Sequence, residues 1–257
     1  MAATVLSGTS GALYYKPAGT LGQFSSSGVS TEANTITVGT YLNFKVGDPV
    51  VFSVVNVNDG SAGTGTLPAG LDTEDQTYYV IDYTNTTGVM QVSTSSGGSA
   101  VSITDTGTVS SPNTFQVEYA TFTSVAQVRE WSFEVTRDEI DVTTIGATPG
   151  QTVPFRTFIA GFADGSGSAT VYFTDTDDSL GNRMIEDVLQ RIQTGAKFKL
   201  YTDQVFSSGA LSDTLSRSIE FEANLTSASL AINPDDAQSV EISFRPSSTP
   251  TFDFSKS

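Results

Sequence analysis

Between residues 217 and 226 the sequence alternates with a period of two. Ile219, Phe221, Ala223 and Leu225 are apolar, while Glu220, Glu222, Asn224 and Thr226 are polar. The pattern returns as Val240, Ile242 and Phe244 against Glu241, Ser243 and Arg245. It appears again as Trp131, Phe133 and Val135 against Glu130, Ser132, Glu134 and Thr136. Successive side chains of a strand point to opposite faces, so each segment reads as a strand with one face on a core and one in water. Together they commit the C-terminal half to an antiparallel sheet with a dry face and a wet one. In the segment at 128–146 the alternation then slips. Ile140, Val142 and Ile145 fall at the wrong parity, which predicts a bulge or bend near residues 137–139.

The rest of this half follows in order. A loop at 146–154 contains Gly146, Pro149, Gly150 and Pro154. Strands near 156–162 and 169–174, separated by Ala163-Asp164-Gly165-Ser166-Gly167, read as a hairpin. One helix is expected, because Met184, Ile185, Val188, Leu189 and Ile192 form a single apolar stripe. Asp178 or Ser179 can cap it, Gly195 can stop it, and Glu186 and Asp187 fall on the other side. A stripe of this width faces its own core. A further strand is expected at 197–201, and Asn233-Pro234-Asp235-Asp236 reads as a turn.

Upstream the texture differs. A short arm ends in Leu13-Tyr14-Tyr15-Lys16-Pro17. From about residue 18 to 117, strand candidates at 35–38, 50–55, 78–82, 88–93 and 101–104 are separated by turns such as Asn58-Asp59-Gly60. This stretch reads as a small all-β module.

Chemistry is sparse. The chain has no Cys and no His, which removes thiol nucleophiles, the usual zinc sites and any Ser-His-Asp arrangement. The Gly-rich run 60–70 lacks the Lys-Ser/Thr of a phosphate cradle. Asp175-Thr176-Asp177-Asp178 opens like a calcium loop, but the downstream spacing is wrong and helix capping accounts for it better. Glu220 and Glu222 would sit about 7 Å apart on one strand face, near inverting-glycosidase spacing. A single Trp, however, makes a poor platform for sugar stacking. No cofactor is indicated. The N-terminus has neither a basic n-region nor a long apolar core, so neither Sec export nor a membrane span is expected. The formal charge is −16 with the twelve basic residues scattered, which disfavours tight binding through phosphates. It also suits a surface that must repel nucleic acid.

Several ordered segments carry a resemblance. They are Val125-Ala126-Gln127-Val128-Arg129-Glu130-Trp131-Ser132-Phe133, then Asp141-Val142-Thr143-Thr144-Ile145-Gly146, then the run from Arg156 to Ala169, and finally the run from Pro234 to Phe244. With the opening Tyr14-Tyr15-Lys16-Pro17-Ala18-Gly19, they resemble the major tail tube proteins of long-tailed bacteriophages. Phe162 stands where that family usually has Leu. The middle stretch, with Phe44-Lys45-Val46-Gly47-Asp48-Pro49-Val50 and Leu67-Pro68-Ala69-Gly70-Leu71, resembles a β module that recurs in phage structural proteins.

The resemblance implies a mainly β fold: a tail-tube β-sandwich or barrel with one flanking helix, formed by residues 1–17 and 118–257. A small all-β domain, 18–117, is inserted and projects outward. It implies no catalysis. Six copies would close into a ring and rings would stack into a tube that conducts DNA. The partners would be other copies of the chain, a tape measure protein inside the tube, DNA in transit, and tail terminator and baseplate proteins at the ends. The place would be the virion tail, assembled in the host cytoplasm. Glu130, Glu134, Glu220 and Glu222 would line the lumen. Gly146, Pro149, Gly150 and Pro154 would make ring-to-ring contacts. The alternatives are another phage structural protein (tail terminator, baseplate ring or decoration protein) or a carbohydrate-binding, adhesin-like β protein.

Overall fold

A computed structural model describes residues 11–72, 76–125, 128–142, 156–172, 180–231 and 237–254. Nearly all regular structure is strand, with one α-helix, α1 (Leu180–Asp187), and a short 3-10 turn at Ser26–Gly28 among the described residues. The strands begin with β1 (Ala12–Lys16), β2 (Leu21–Phe24), β3 (Val29–Ser30), β4 (Thr35–Thr37) and β5 (Pro49–Asn56). Next come β6 (Gly65–Thr66), β7 (Tyr78–Thr84), β8 (Val89–Ser93), β9 (Thr108–Val109) and β10 (Asn113–Tyr119). The second half carries β11 (Thr123–Ser124), β12 (Val128–Asp141), β13 (Phe158–Tyr172) and β14 (Lys197–Asp203). It ends with β15 (Phe206–Ser207), β16 (Ala210–Leu211), β17 (Arg217–Ala231), β18 (Ser239–Pro246) and β19 (Thr251–Asp253).

Two large antiparallel sheets result. The first runs β11-β1-β14-β17-β18-β13-β12, with β19 also on β17; the second runs β2-β10-β5-β7-β8-β4-β3. The chain therefore starts in the first sheet, spends residues 21–119 in the second, and returns. The second sheet extends to Tyr119, because Glu118 and Tyr119 continue the β10 ladder opposite Val51 and Val50. The expected boundary at residue 117 thus falls inside a strand.

The first sheet bends on itself. Its outermost strands, β11 and β12, lie at opposite edges yet are joined through residues 125–127. Three linking residues span at most about 14 Å, so the two edges must approach each other. What remains is an open barrel with a seam, a cleft of about 510 Å³ lined by Leu13, Ser124, Val128, Glu130 and Trp131, among others.

The dry face of this sheet packs as the alternation requires. Phe198, Phe221 and Phe244 are buried and stacked, with Phe198 and Phe244 centroids 4.4 Å apart. Phe133 stacks on Phe221 at 4.8 Å, and Tyr15 meets Phe198 at 4.9 Å. Met184 of α1 is fully buried in the same core. The second sheet has its own core around Ile36, Tyr78, Val80, Met90, Phe115 and Val117.

Three expectations are corrected. The expected hairpin is absent from the described residues, since Phe158–Tyr172 is one strand paired with β12 along its length. The glycines that looked like a turn serve packing: a Cβ on Gly167 would lie 2.3 Å from the Phe244 ring. Residues 101–104 form no strand, because the Ile103 N–H bonds to the Asn34 side chain and so leaves the ladder. Finally, α1 ends at Asp187. Leu189 is exposed, and Ile192 packs on the second core, so the expected stripe is shared between two cores. The slip at 137–139 is a register shift between Arg137 and Glu139, as the parity predicted. The expected helix cap, the calcium-like run, the turn at 233–236 and the loop at 146–154 lie outside the described residues.

Candidate functional site

The four glutamates share the wet face of the first sheet, for each alternates with a side chain packed on the core. Glu130 and Glu134 flank Trp131 and Phe133, and Glu220 and Glu222 flank Phe221. The two pairs differ in their surroundings. On β14, Lys199 and Lys197 stand directly opposite Glu220 and Glu222, with ammonium–carboxylate distances of 3.8 and 3.5 Å. Lys16, opposite Lys197 on β1, has its pKa lowered by burial, partly offset by Glu118 and Glu220 and reinforced by Lys197. Around Glu220 and Glu222 the carboxylates are thus matched by lysines. On β12, Glu130 and Glu134 face Thr170 and Ser166 of β13, and Thr170 Oγ1 donates to Glu130 at 3.4 Å. The unbalanced negative charge is therefore on the β12 side.

The second element is a ribbon. β13 pairs with β18 only from Gly167 onward. Below that point, residues 134–141 and 158–166 have only each other as ladder partners among the described residues. This ribbon exposes Val135, Ile140, Phe158, Ile159 and Phe162, with Phe162 87 % and Ile159 52 % exposed. A two-stranded ribbon with little packed on its faces is marginal in water, and among the described residues β12 also leaves one edge unpaired. The large apolar residues here break the strict alternation, which is why the sequence reading missed the ribbon as a surface.

A third element joins the sheets. Arg183 of α1 donates to both carboxylate oxygens of Asp48, at 2.5 and 2.9 Å, and to the Asn43 carbonyl. The Tyr119 ring lies 5.8 Å from its guanidinium carbon. One turn on, buried Asp187 accepts from Tyr15 Oη (2.7 Å), the Ala18 N–H (3.1 Å) and Asn43 Nδ2 (2.6 Å). Lys45 and Glu186 pair at the rim at 2.6 Å. Burial raises the Asp187 pKa above its ordinary value, against the lowering by Tyr15, Arg183, Ala18 and Asn43. Burial also pushes Tyr15 well up, and the Asp187 charge adds to this. Burial acts to lower Arg183, but the hydrogen bonds and charge of Asp48 outweigh it and the net shift is upward. Sequence reasoning placed Asp187 on the polar side of the helix. A signal was present: Arg183 and Asp187 are spaced i, i+4, on the same face as buried Met184.

Comparison with known proteins finds similarity in solved structures alone. No protein-family model matches, and no curated protein matches. The chain is similar to a chain from the virion of a native gene transfer agent particle, at 17% identity and TM-score 0.38, covering 51% of this chain and 88% of that one. A second is from the tail of an empty gene transfer agent particle with C6 symmetry, at 18% identity and TM-score 0.35, covering 51% and 85%. A third is the SPP1 tail tube, at 17% identity and TM-score 0.35, covering 53% and 70%. Among the described residues, no helix is long and apolar enough to cross a membrane.

Proposed function

We propose that this chain is the subunit of a phage tail tube, residing in the virion tail after assembly in the host cytoplasm. Copies close into hexameric rings, and rings stack around a channel for DNA. The reading rests on the ribbon of β12 and β13, which exposes Phe158, Ile159 and Phe162 beside a strand edge that is unpaired among the described residues. Such a surface is a liability in a monomer and a joint in an assembly. In a ring the contact is heterologous: the ribbon and β12 edge of one copy meet a different face of the next, and closure follows from rotation. The near-closed seam supplies a second edge at β1 and β11.

The wet face would then form the channel wall. Glu130 and Glu134 would present charge without a matched cation, and Glu220 and Glu222 would present charge balanced by Lys197 and Lys199. A wall of this kind offers DNA phosphates little counterion-release gain. The tape measure protein would occupy the lumen before ejection, and terminator and baseplate proteins would cap the ends. Gly146, Pro149, Gly150 and Pro154 remain the proposed ring-to-ring contacts. The sheet of residues 21–119 would sit outside the channel.

Negative-stain microscopy of the purified protein tests the assembly. Rings or tubes with a central hole are expected, and a monodisperse monomer at high concentration would refute the reading. A density map of the tube tests the wall. It fails if Glu130, Glu134, Glu220 and Glu222 lie between subunits or on the outside.

A further inference from the structure

Where the helix side meets the second sheet, a cleft of about 710 Å³ opens between Tyr41, Leu42 and Asn85 on one wall and Leu189, Gln190 and Arg191 on the other. Its size lies within the range that holds one small molecule, and junctions between folded parts are common places for such sites. Three observations set it apart from ordinary surface.

First, Tyr41 is held in a left-handed backbone conformation, φ 59°, with its side chain 64 % exposed. A bulky residue in that region is strained, and the strain persists only because neighbours hold it. Here the Tyr41 N–H donates to the Asn85 carbonyl at 2.9 Å, and Gln190 Nε2 donates to the Tyr41 carbonyl at 3.2 Å. Next door, the Leu42 N–H is tied to Tyr83 Oη at 3.0 Å. The ring is displayed, since no burial accounts for its place.

Second, Arg191 has no ion pair, hydrogen bond or aromatic ring against it among the described residues. In a chain of charge −16, every other described cation except Arg129 has an ion pair, a hydrogen bond or an aromatic ring against it. A free guanidinium on the rim is a planar donor for a carboxylate. Third, the floor is rigid. Leu42 is buried, and Ile192 packs on the second core, so the cleft walls belong to folded structure rather than to a loose loop.

We propose that this cleft binds a small acidic saccharide, a uronic-acid type of sugar. Its ring would stack on Tyr41, its hydroxyls would exchange hydrogen bonds with the amides of Asn85 and Gln190, and its carboxylate would pair with Arg191. One isolated cation in so acidic a chain does not suit a nucleic acid, which needs clustered Lys and Arg. The exposed tyrosine and amide side chains suit a polyol better than an apolar peptide, which would leave those amides unsatisfied.

The cleft is lined by residues of a single copy, so it is testable in the full-length protein. Isothermal titration with galacturonic-acid oligomers, and with galactose oligomers as neutral counterparts, gives the measurement. Saturable binding of the uronate series is expected, weakened about tenfold or more by Arg191→Gln. Tyr41→Gly should abolish binding while the melting temperature holds or rises, because glycine accepts this φ without strain. Arg129→Gln should leave binding unchanged. Absence of uronate binding overturns the proposal. So does equal affinity for the neutral oligomers, or binding that survives both Arg191→Gln and Tyr41→Gly.

Discussion

The sheet of residues 21–119 hides its large apolar side chains almost completely, leaving only Tyr41, Val46 and Val57 exposed among them. Every other exposed large apolar side chain among the described residues lies after Tyr119, and Val135, Ile140, Phe158, Ile159 and Phe162 crowd onto one ribbon. Both sheets have a buried aromatic core, so the contrast lies in their margins. The large apolar side chains of the second sheet gather in one core. The first runs β12 and β13 well beyond the last rung shared with β18. The overrun of the first sheet is the surface on which the proposed assembly rests.

The comparison can be broken most forcefully in the cores. Phe244→Ala in the first sheet and Phe115→Ala in the second should each cost about 3–5 kcal/mol, since both side chains are fully buried. If the junction makes the sheets one cooperative unit, calorimetry will show a single transition lowered by either change. Two separate transitions would mean that the sheets unfold independently. Arg183→Met attacks the junction itself. It leaves the Asp48 carboxylate buried without its partner and should cost about 3 kcal/mol or more. Hydrogen exchange should then rise around residues 43–48 and 15–18 first, and uniform loosening of the whole chain would argue against a local joint.

Acidity gives a smaller effect with a definite sign. Folded Asp187 keeps its proton to higher pH than the unfolded chain does. Rising pH therefore strips the unfolded state first, and this group's contribution to stability falls from its ordinary value of 3.8 up through its raised one. Asp187→Asn should remove that downward component. A melting-temperature difference between variant and wild type that stays constant across this window would contradict it. The smallest effect on stability falls on the ribbon. Phe162→Asp should change the unfolding free energy by no more than about 0.5 kcal/mol, because the side chain touches little in the monomer. The same change should abolish rings, read by sedimentation. Assembly that survives it would place the joint elsewhere.

These contrasts explain what could be read from residues alone. The strands of the first sheet were legible because alternation is a local signal, and the bulge at Arg137 was legible because parity is counted along one strand. The continuous β13 was not, because Asp164-Gly165-Ser166-Gly167 carries turn chemistry locally. The need for a bare α-carbon at Gly167 comes from Phe244, far away in sequence. The junction was hidden for the same reason: Tyr15, the pair Asn43 and Asp48, and Asp187 come from three segments far apart in the chain. Of the candidate wall, sequence parity correctly set Glu130, Glu134, Glu220 and Glu222 apart from the core-facing residues. It could not reveal that β14 lays lysines against the latter two, because register between strands is not written in either strand.

The route of the chain into and out of the second sheet has one more consequence. Tyr15 of β1 lies directly opposite Thr123 of β11, and Tyr14 opposite Ser124. The two ends of the intervening hundred or so residues thus emerge as neighbours on adjacent strands, about 5 Å apart. Closing a chain across so short a gap costs little more for a long segment than for a short one. The position is a natural graft point, where a whole folded unit can be gained, lost or exchanged without redrawing the sheet that carries it. The constraint on such an exchange is chemical. Whatever replaces residues 18–119 must satisfy Arg183 and Asp187, or those two must change with it.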